Sequence, residues 1–259
     1  MSAPEPLLVA DSITRMYGSR MGCADVSFDL QEGEVLAVVG ESGSGKTTLL
    51  NVLSGVLPTT AGRVLYRMRD GVTRNVLELS EAERKYLLRT DWGLVHQDST
   101  QGLRMRVSAG GNVGERLMAI GDRHYGKIRA SALDWLSRVE IAADRIDDLP
   151  LQFSGGMRQR LQIAKCLVTR PRLVYMDEPT GGLDVSVQAR LLDLIRSLVE
   201  DLGLAAIIVT HDLSVARLLS HRIIVMQDGR IIESGLTDQV LDDPRTPYTQ
   251  LLVASVLAA

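Results

Sequence analysis

The chain has 259 residues, 45% of them apolar, with 29 basic side chains against 32 acidic ones and a formal net charge of −3. That length and apolar fraction suit one large α/β domain with an inserted subdomain, and they exclude disorder as the default state. The slightly negative balance excludes a protein held to nucleic acid or to an anionic membrane by its overall field, so partners are expected to be recognised by shape.

Residues 7–40 read as short strands and turns. Val26, Phe28 and Leu30 alternate with Ser27 and Asp29, while Gln31, Glu32 and Gly33 turn the chain. The continuous apolar run Val35, Leu36, Ala37, Val38 and Val39 predicts a strand buried on both faces. Beyond Lys46 the spacing of Leu49, Leu50, Val52 and Leu53 predicts a helix packed back on the sheet, ended by Gly55 and Pro58. From about 97 to 148 the strand runs disappear, and Ile128, Ala132, Leu133, Trp135, Leu136 and Val139 follow helical spacing, the mark of a helical insertion. Strand signals return at 173–176 and 205–209, separated by an amphipathic helix over 187–202, so the α/β alternation resumes. Ile223, Ile224, Val225 and Met226, then Asp228 and Gly229, then Ile231 and Ile232 predict a hairpin with Asp-Gly at positive φ. Cys23 and Cys166 lie in no metal-spaced or CxxC pattern and read as buried structural residues. The apolar runs are of strand length and no basic, then apolar, leader stands at the start. The expectation is therefore a cytoplasmic chain with no direct membrane insertion and no nucleic-acid partner.

Two glycine-rich segments and one acidic pair carry the chemistry. Gly40, Glu41, Ser42, Gly43, Ser44, Gly45, Lys46 and Thr47, between a strand and a helix, form a P-loop, whose backbone N–H groups and helix start cradle polyphosphate. Lys46 is expected on the β- and γ-phosphates, Thr47 on Mg²⁺ and Thr48 on the α-phosphate. Asp177 and Glu178 emerge at the C-terminal end of a buried strand, where open α/β sheets place ligands. If successive strand side chains point oppositely, the two carboxylates divide the work, Asp177 on the Mg²⁺ shell and Glu178 polarising the attacking water. His211 ends the run 207–210. A lone histidine there is more often structural, and delivery to the P-loop edge favours catalysis. Ser154, Gly155 and Gly156 open a helix and read either as a plain serine cap or as a second anion site.

In this order the segments resemble the nucleotide-binding subunit of the ATP-binding cassette (ABC) superfamily over nearly the whole chain. The resemblance implies a P-loop NTPase fold of the α/β class. Its RecA-like core with an antiparallel β subdomain would span 1–97 and 162–259, and its inserted helical subdomain 98–161. It implies ATP and Mg²⁺ as ligands, Tyr17 stacked on adenine, and Gly40, Ser42, Gly43, Ser44, Gly45, Lys46, Thr47 and Thr48 on phosphate. Gln97 becomes the Q-loop glutamine near Mg²⁺ and the attacking water, and Asp177, through water, the Walker B aspartate. Glu178 becomes the catalytic carboxylate, Asp184 the D-loop residue and His211 the switch histidine. Ser154, Gly155 and Gly156 match the signature that closes on a partner's ATP, so the working unit implied is a homodimer around two nucleotides. Phe153 and Met157 depart from the usual Leu and Gln of that signature, and Met157 loses a polar contact.

A narrower resemblance is to the K-subunit group of bacterial carbon–phosphorus lyase systems, on Trp92 to Gln97, the stretch 102–117 and the stretch 180–188. It implies an ATPase that performs no carbon–phosphorus cleavage itself and docks on the lyase core subunits through the Q-loop and helical insertion. Gly110, Gly111 and Gly114 are expected to allow a tight fit against a partner's backbone, with a flexible surface loop as the plain alternative. The peptide or nickel importer ATPases are the second reading, because Asp243, Pro244, Arg245, Thr246, Pro247 and Tyr248 resemble their C-terminal motif. A DNA-associated or structural cassette is the third, disfavoured by charge and length. The apolar tail 251–259 is expected to pack or fray.

Overall fold

The computed structural model describes residues 5–257, which divide into two compact units: the described residues up to 84 with those from 203 onward, and residues 85–202. The boundaries expected from sequence at 98 and 161 both fall inside the second unit.

In the first unit, β1 (Leu8–Tyr17) pairs antiparallel with β2 (Arg20–Leu30) and with β4 (Ala61–Arg67), and β4 pairs with the short β5 (Thr73–Asn75). β3 (Val35–Val39) is buried at every position, as its unbroken apolar run requires. It lies parallel to both β8 (Ala205–Thr210) and β9 (Arg222–Gln227). β9 turns back into β10 (Arg230–Leu236). Asp228 (φ 46°) and Gly229 (φ 76°) take the positive-φ pair expected of the turn. Helix α1 (Lys46–Leu53) buries Leu49, Leu50, Val52 and Leu53. Helices α8 (Leu213–Leu219), α9 (Thr237–Asp242) and α10 (Pro247–Leu257) complete the unit, with α2 (Glu81–Thr90) crossing its boundary. In α10, Tyr248 and the tail residues Leu252 and Val253 sit against a core of Ala37, Val39, Ala216, Ile223, Val225 and Leu241, whereas Leu251 is exposed; residues 258 and 259 lie outside the described residues.

In the second unit, β6 (Trp92–Val95) and β7 (Leu173–Asp177) run parallel. Gly93 permits this layer to close, because a Cβ there would coincide with the sulfur of buried Cys166. That burial pushes the Cys166 thiol up to about 11, so it is an inert packing group, as expected. Helices α3 (Ser99–Gly102), α4 (Ala109–Ala119), α5 (Tyr125–Arg138), α6 (Gly155–Leu167) and α7 (Val185–Leu202) make up the rest, joined by short turns of 3-10 helix.

The glycine-rich stretch 108–114 departs from expectation. Residues 109–114 open helix α4, capped by Ser108, rather than the flexible loop of the plain alternative, and the glycines face this chain's own side chains instead of the expected partner. A Cβ on Gly110 would lie 2.5 Å from Ile146, on Gly111 2.7 Å from Val107, and on Gly114 2.6 Å from Ile128. Asn112, wholly buried, bonds the carbonyls of Arg104, Val107 and Ser108 and receives the Arg104 N–H, so the segment before α4 is tied to its first turn. The glycines therefore exist for internal close packing, and they no longer argue for a partner's backbone. Gly110→Val should lower stability by about 1–3 kcal/mol through overpacking, read from the midpoint of denaturant unfolding; an unchanged or higher midpoint would mean that Ile146 gives way freely.

Candidate functional site: two nucleotide half-sites

The P-loop leaves β3 at Gly40 and enters α1 at Lys46. Gly40 (φ 148°) and Gly45 (φ 101°) are required on two counts: backbone angle, and Cβ positions that would collide with the carbonyl oxygens of Met226 and Gly22, respectively. The β9–β10 turn closes on the loop, with Gly229 N–H donating to Ser44 O at 3.0 Å and Ala24 N–H to Gly229 O at 2.8 Å. Helix α1 starts with no side-chain cap and no acidic residue in its first turn, so its N–H groups and positive end are left for an anion. Lys46, 6% exposed, donates its ammonium to Gly40 O at 2.7 Å and Glu41 O at 2.8 Å. The buried Ser44 Oγ has no hydrogen-bond partner among the described residues. A buried cation lying across two carbonyls, an orphaned hydroxyl and an uncapped helix start together fit a polyphosphate.

Tyr17 and Thr48 meet this loop at Gly22, where a Cβ would lie 2.8 Å from both the Tyr17 ring and the Thr48 methyl. The Arg15 guanidinium stands 4.9 Å from the Tyr17 ring centroid, leaving a ring 44% exposed beside the P-loop helix. The register ends at Val39↔Thr210, so the backbones of Gly40 and His211 follow directly from paired ends of neighbouring parallel strands. His211 precedes Asp212, which caps α8 through Ser214 N–H at 2.8 Å.

In the second unit the register Val95↔Met176 sets Gln97 level with Glu178, two residues past the last pair. Asp177 is the last residue of β7, while Glu178 has left the strand at φ 44°. The strand alternation expected to separate the two carboxylates therefore stops at Asp177, and Glu178 lies in a left-handed backbone turn. The turn closes with Gly181 N–H to Glu178 O at 2.9 Å, and a Cβ on Gly181 would lie 3.2 Å from the Gln97 amide nitrogen. Among the described residues no three His, Cys, Asp or Glu converge on a metal position.

Ser154 caps α6, its Oγ accepting Met157 N–H at 3.3 Å, and Gly155 and Gly156 form the first turn. These glycines seat the D-loop: a Cβ on Gly156 would lie 2.5 Å from Val187, and one on Gly155 3.4 Å from Leu183. Asp184 is exposed and its carbonyl accepts the first N–H bonds of α7, from Val187 and Gln188.

Sequence reasoning passed over one clasp. His96 N–H donates to Gln162 Oε1 at 2.8 Å, and His96 O accepts from Gln162 Nε2 at 3.1 Å and Gln159 Nε2 at 3.2 Å. Both glutamines are almost wholly buried, and they bind the Q-loop backbone to the signature helix. A polar residue at 162, inside the apolar stripe of α6, was the available signal. Burial depresses the His96 imidazole below its usual range, against the raising effect of Asp98, so the ring beside Gln97 is neutral.

A family described as ABC transporter matches residues 23–181. The chain is 63% identical, over 98% of its own length and 98% of the relative's, to the putative phosphonates utilization ATP-binding protein PhnK of Escherichia coli K12. It is 35% identical to the dipeptide transport ATP-binding protein DppD of Bacillus subtilis, over 95% of this chain and 74% of that one. Among solved structures, a dimeric post-hydrolysis state of the ATP-binding cassette MJ0796 bound to ADP and Pi superposes at TM-score 0.78 and 29% identity, covering 89% of this chain and 98% of that one. With the P-loop, the acidic strand end and the signature helix each in place, the chain belongs to the ABC transporter family of ATP-hydrolysing cassettes.

Proposed function

We propose that two copies of this chain close on two MgATP and that closure drives or regulates a soluble carbon–phosphorus lyase core complex in phosphonate catabolism. One observation carries the reading: 63% identity over 98% of both lengths to a phosphonates utilization ATP-binding protein, against 35% to a dipeptide transport protein. ATPase motors for peptide import are the second reading, favoured by those dipeptide relatives and by the Asp243 to Tyr248 stretch.

In this reading the ammonium of Lys46 exchanges the carbonyls of Gly40 and Glu41 for β- and γ-phosphate oxygens, and Ser44 Oγ gains the acceptor it lacks. Gly40, Ser42, Gly43, Gly45, Thr47 and Thr48 complete the phosphate cradle, and the exposed face of Tyr17 takes the adenine. Mg²⁺, held by Thr47, Gln97 and, through water, Asp177, would neutralise charge between the β- and γ-phosphates. Glu178 polarises the attacking water, Gln97 orients it and His211 contacts the γ-phosphate. Ser154, Gly155, Gly156 and Asp184 of one copy complete the other copy's site, an arrangement supported by the dimeric MJ0796 cassettes. The helical insertion, 98–161, is the docking side of the proposal. Its exposed arginines remain in favour, Arg104 at 65% side-chain exposure and only loosely paired with Glu115 at 3.2 Å.

Glu178→Gln should keep ATP binding, slow turnover by about 10²-fold or more and accumulate an ATP-bound dimer, measured by phosphate release and by size in solution. Undiminished hydrolysis removes Glu178 from its role. Affinity purification from native cells should recover a soluble complex, with phosphonate breakdown lost when the Glu178→Gln chain replaces the wild type. Recovery of a membrane-bound permease instead transfers the chain to the importer reading.

A further inference from the structure

The Asp243 to Tyr248 stretch has no part in the nucleotide chemistry described above, yet it reaches the P-loop. The Tyr248 hydroxyl accepts the Glu41 N–H at 3.0 Å. Glu41 is the residue whose carbonyl, with that of Gly40, holds the Lys46 ammonium. One short turn is thus gripped from both sides: by the phosphate-binding lysine within, and by a tyrosine from α10 without.

The tyrosine is itself firmly placed. Its half-buried ring packs on the core that contains Val39, the last residue before the P-loop, and Val225. The start of α10 is fastened to β10 by Glu233, whose carboxylate accepts Arg245 N–H at 2.8 Å, Thr246 N–H at 3.0 Å and the Thr246 hydroxyl at 3.0 Å. Thr246 Oγ1 in turn lies 2.7 Å from the Oγ1 of fully buried Thr249, and Gln250 Nε2 reaches back to Pro244 O at 3.0 Å. Desolvation alone would raise the Glu233 carboxyl, but the bonds from Arg245, Thr249 and Thr246 outweigh it and keep the group ionised. Glu233 of β10 therefore fastens the start of α10, and Tyr248, two residues beyond Thr246 in the chain, carries that support to the Glu41 peptide.

We infer that Tyr248 is a positioning residue for nucleotide binding: anchored through Glu233, it holds the Gly40–Glu41 turn so that Lys46 is presented to phosphate from a fixed support. Lys46 leaves two carbonyls when it engages phosphate. A turn free to follow the lysine would spend binding energy on its own ordering, whereas a turn fixed from outside has that ordering in place beforehand. The inference rests on ATP binding by the cassette and is independent of any lyase or importer partner.

Tyr248→Phe keeps the packed ring and removes the hydroxyl. In the full chain it should raise the Kd for MgATP about three- to ten-fold, the effect of losing one hydrogen bond of ordinary net strength. At saturating MgATP kcat should stay within about two-fold, and the melting temperature of the nucleotide-free protein should hold to roughly 2 °C. Glu233→Ala should move Kd in the same direction, and the double variant should bind MgATP no more weakly than Glu233→Ala alone, because both changes break one support. The inference is overturned by an unchanged Kd in Tyr248→Phe, by a loss that falls on kcat rather than Kd, by a Kd change that only tracks a lowered melting temperature, or by effects that add in full.

Discussion

Crowding of main-chain oxygen around the end of β3 is the constraint on which the nucleotide half-site depends. Met226 O from β9 presses on Gly40, Gly22 O from β2 presses on Gly45, and the Gly229 N–H holds Ser44 O between them. A loop so enclosed can only curl with its N–H groups inward, and the helix that follows must begin without a side-chain cap. Anion affinity here is a property of backbone direction, with Lys46 as the one buried ammonium added to it. The antiparallel sheet of β1, β2, β4 and β5 has a related duty: by bringing the start of β2 against the loop at Gly22, it sets the Tyr17 ring and the Thr48 methyl side by side.

A comparable economy governs the second unit. Three bonds from Gln159 and Gln162 satisfy both backbone groups of His96, so the residue before Gln97 cannot move without the signature helix. Buried amides with no water to replace a lost partner make such a connection stiff. Gly102 adds to it, since a Cβ there would overlap the Gln162 amide. Through these contacts the backbone at His96, helix α6 and the Leu183 and Val187 side chains beside Gly155 and Gly156 are packed together.

Features with a local physical cause were legible in the sequence. The apolar run at 35–39, the Asp228-Gly229 turn, the P-loop and the serine cap at 154 each declare themselves within a few residues, and the structure has all of them. Features made by residues distant along the chain were not. The stretch 108–114 looks like a loop by composition because the reason for its glycines, the side chains of Ile146 and Ile128, lies elsewhere. The strand alternation expected to run through Asp177 and Glu178 stops at Asp177, because Glu178 takes a φ of 44° that no periodicity encodes for a glutamate. Tyr248 was legible as part of a motif and not as a neighbour of Glu41, 207 residues away.

The signature segment closes the same lesson at the site itself. Phe153 and Met157 depart from the usual Leu and Gln, and taken singly one is a conservative change and the other a lost polar contact. The structure joins them through Arg145. Its guanidinium lies 4.8 Å from the Phe153 ring centroid, its Nη1 is 3.9 Å from Met157 Sδ, and Asp148 pairs with it from the far side. An aromatic face attracts a cation more strongly than a leucine does, and a polarisable thioether accepts weakly where an amide would compete for water. The two departures thus share one partner: Phe153 and Met157 both contact the Arg145 guanidinium, on either side of the turn formed by Ser154, Gly155 and Gly156.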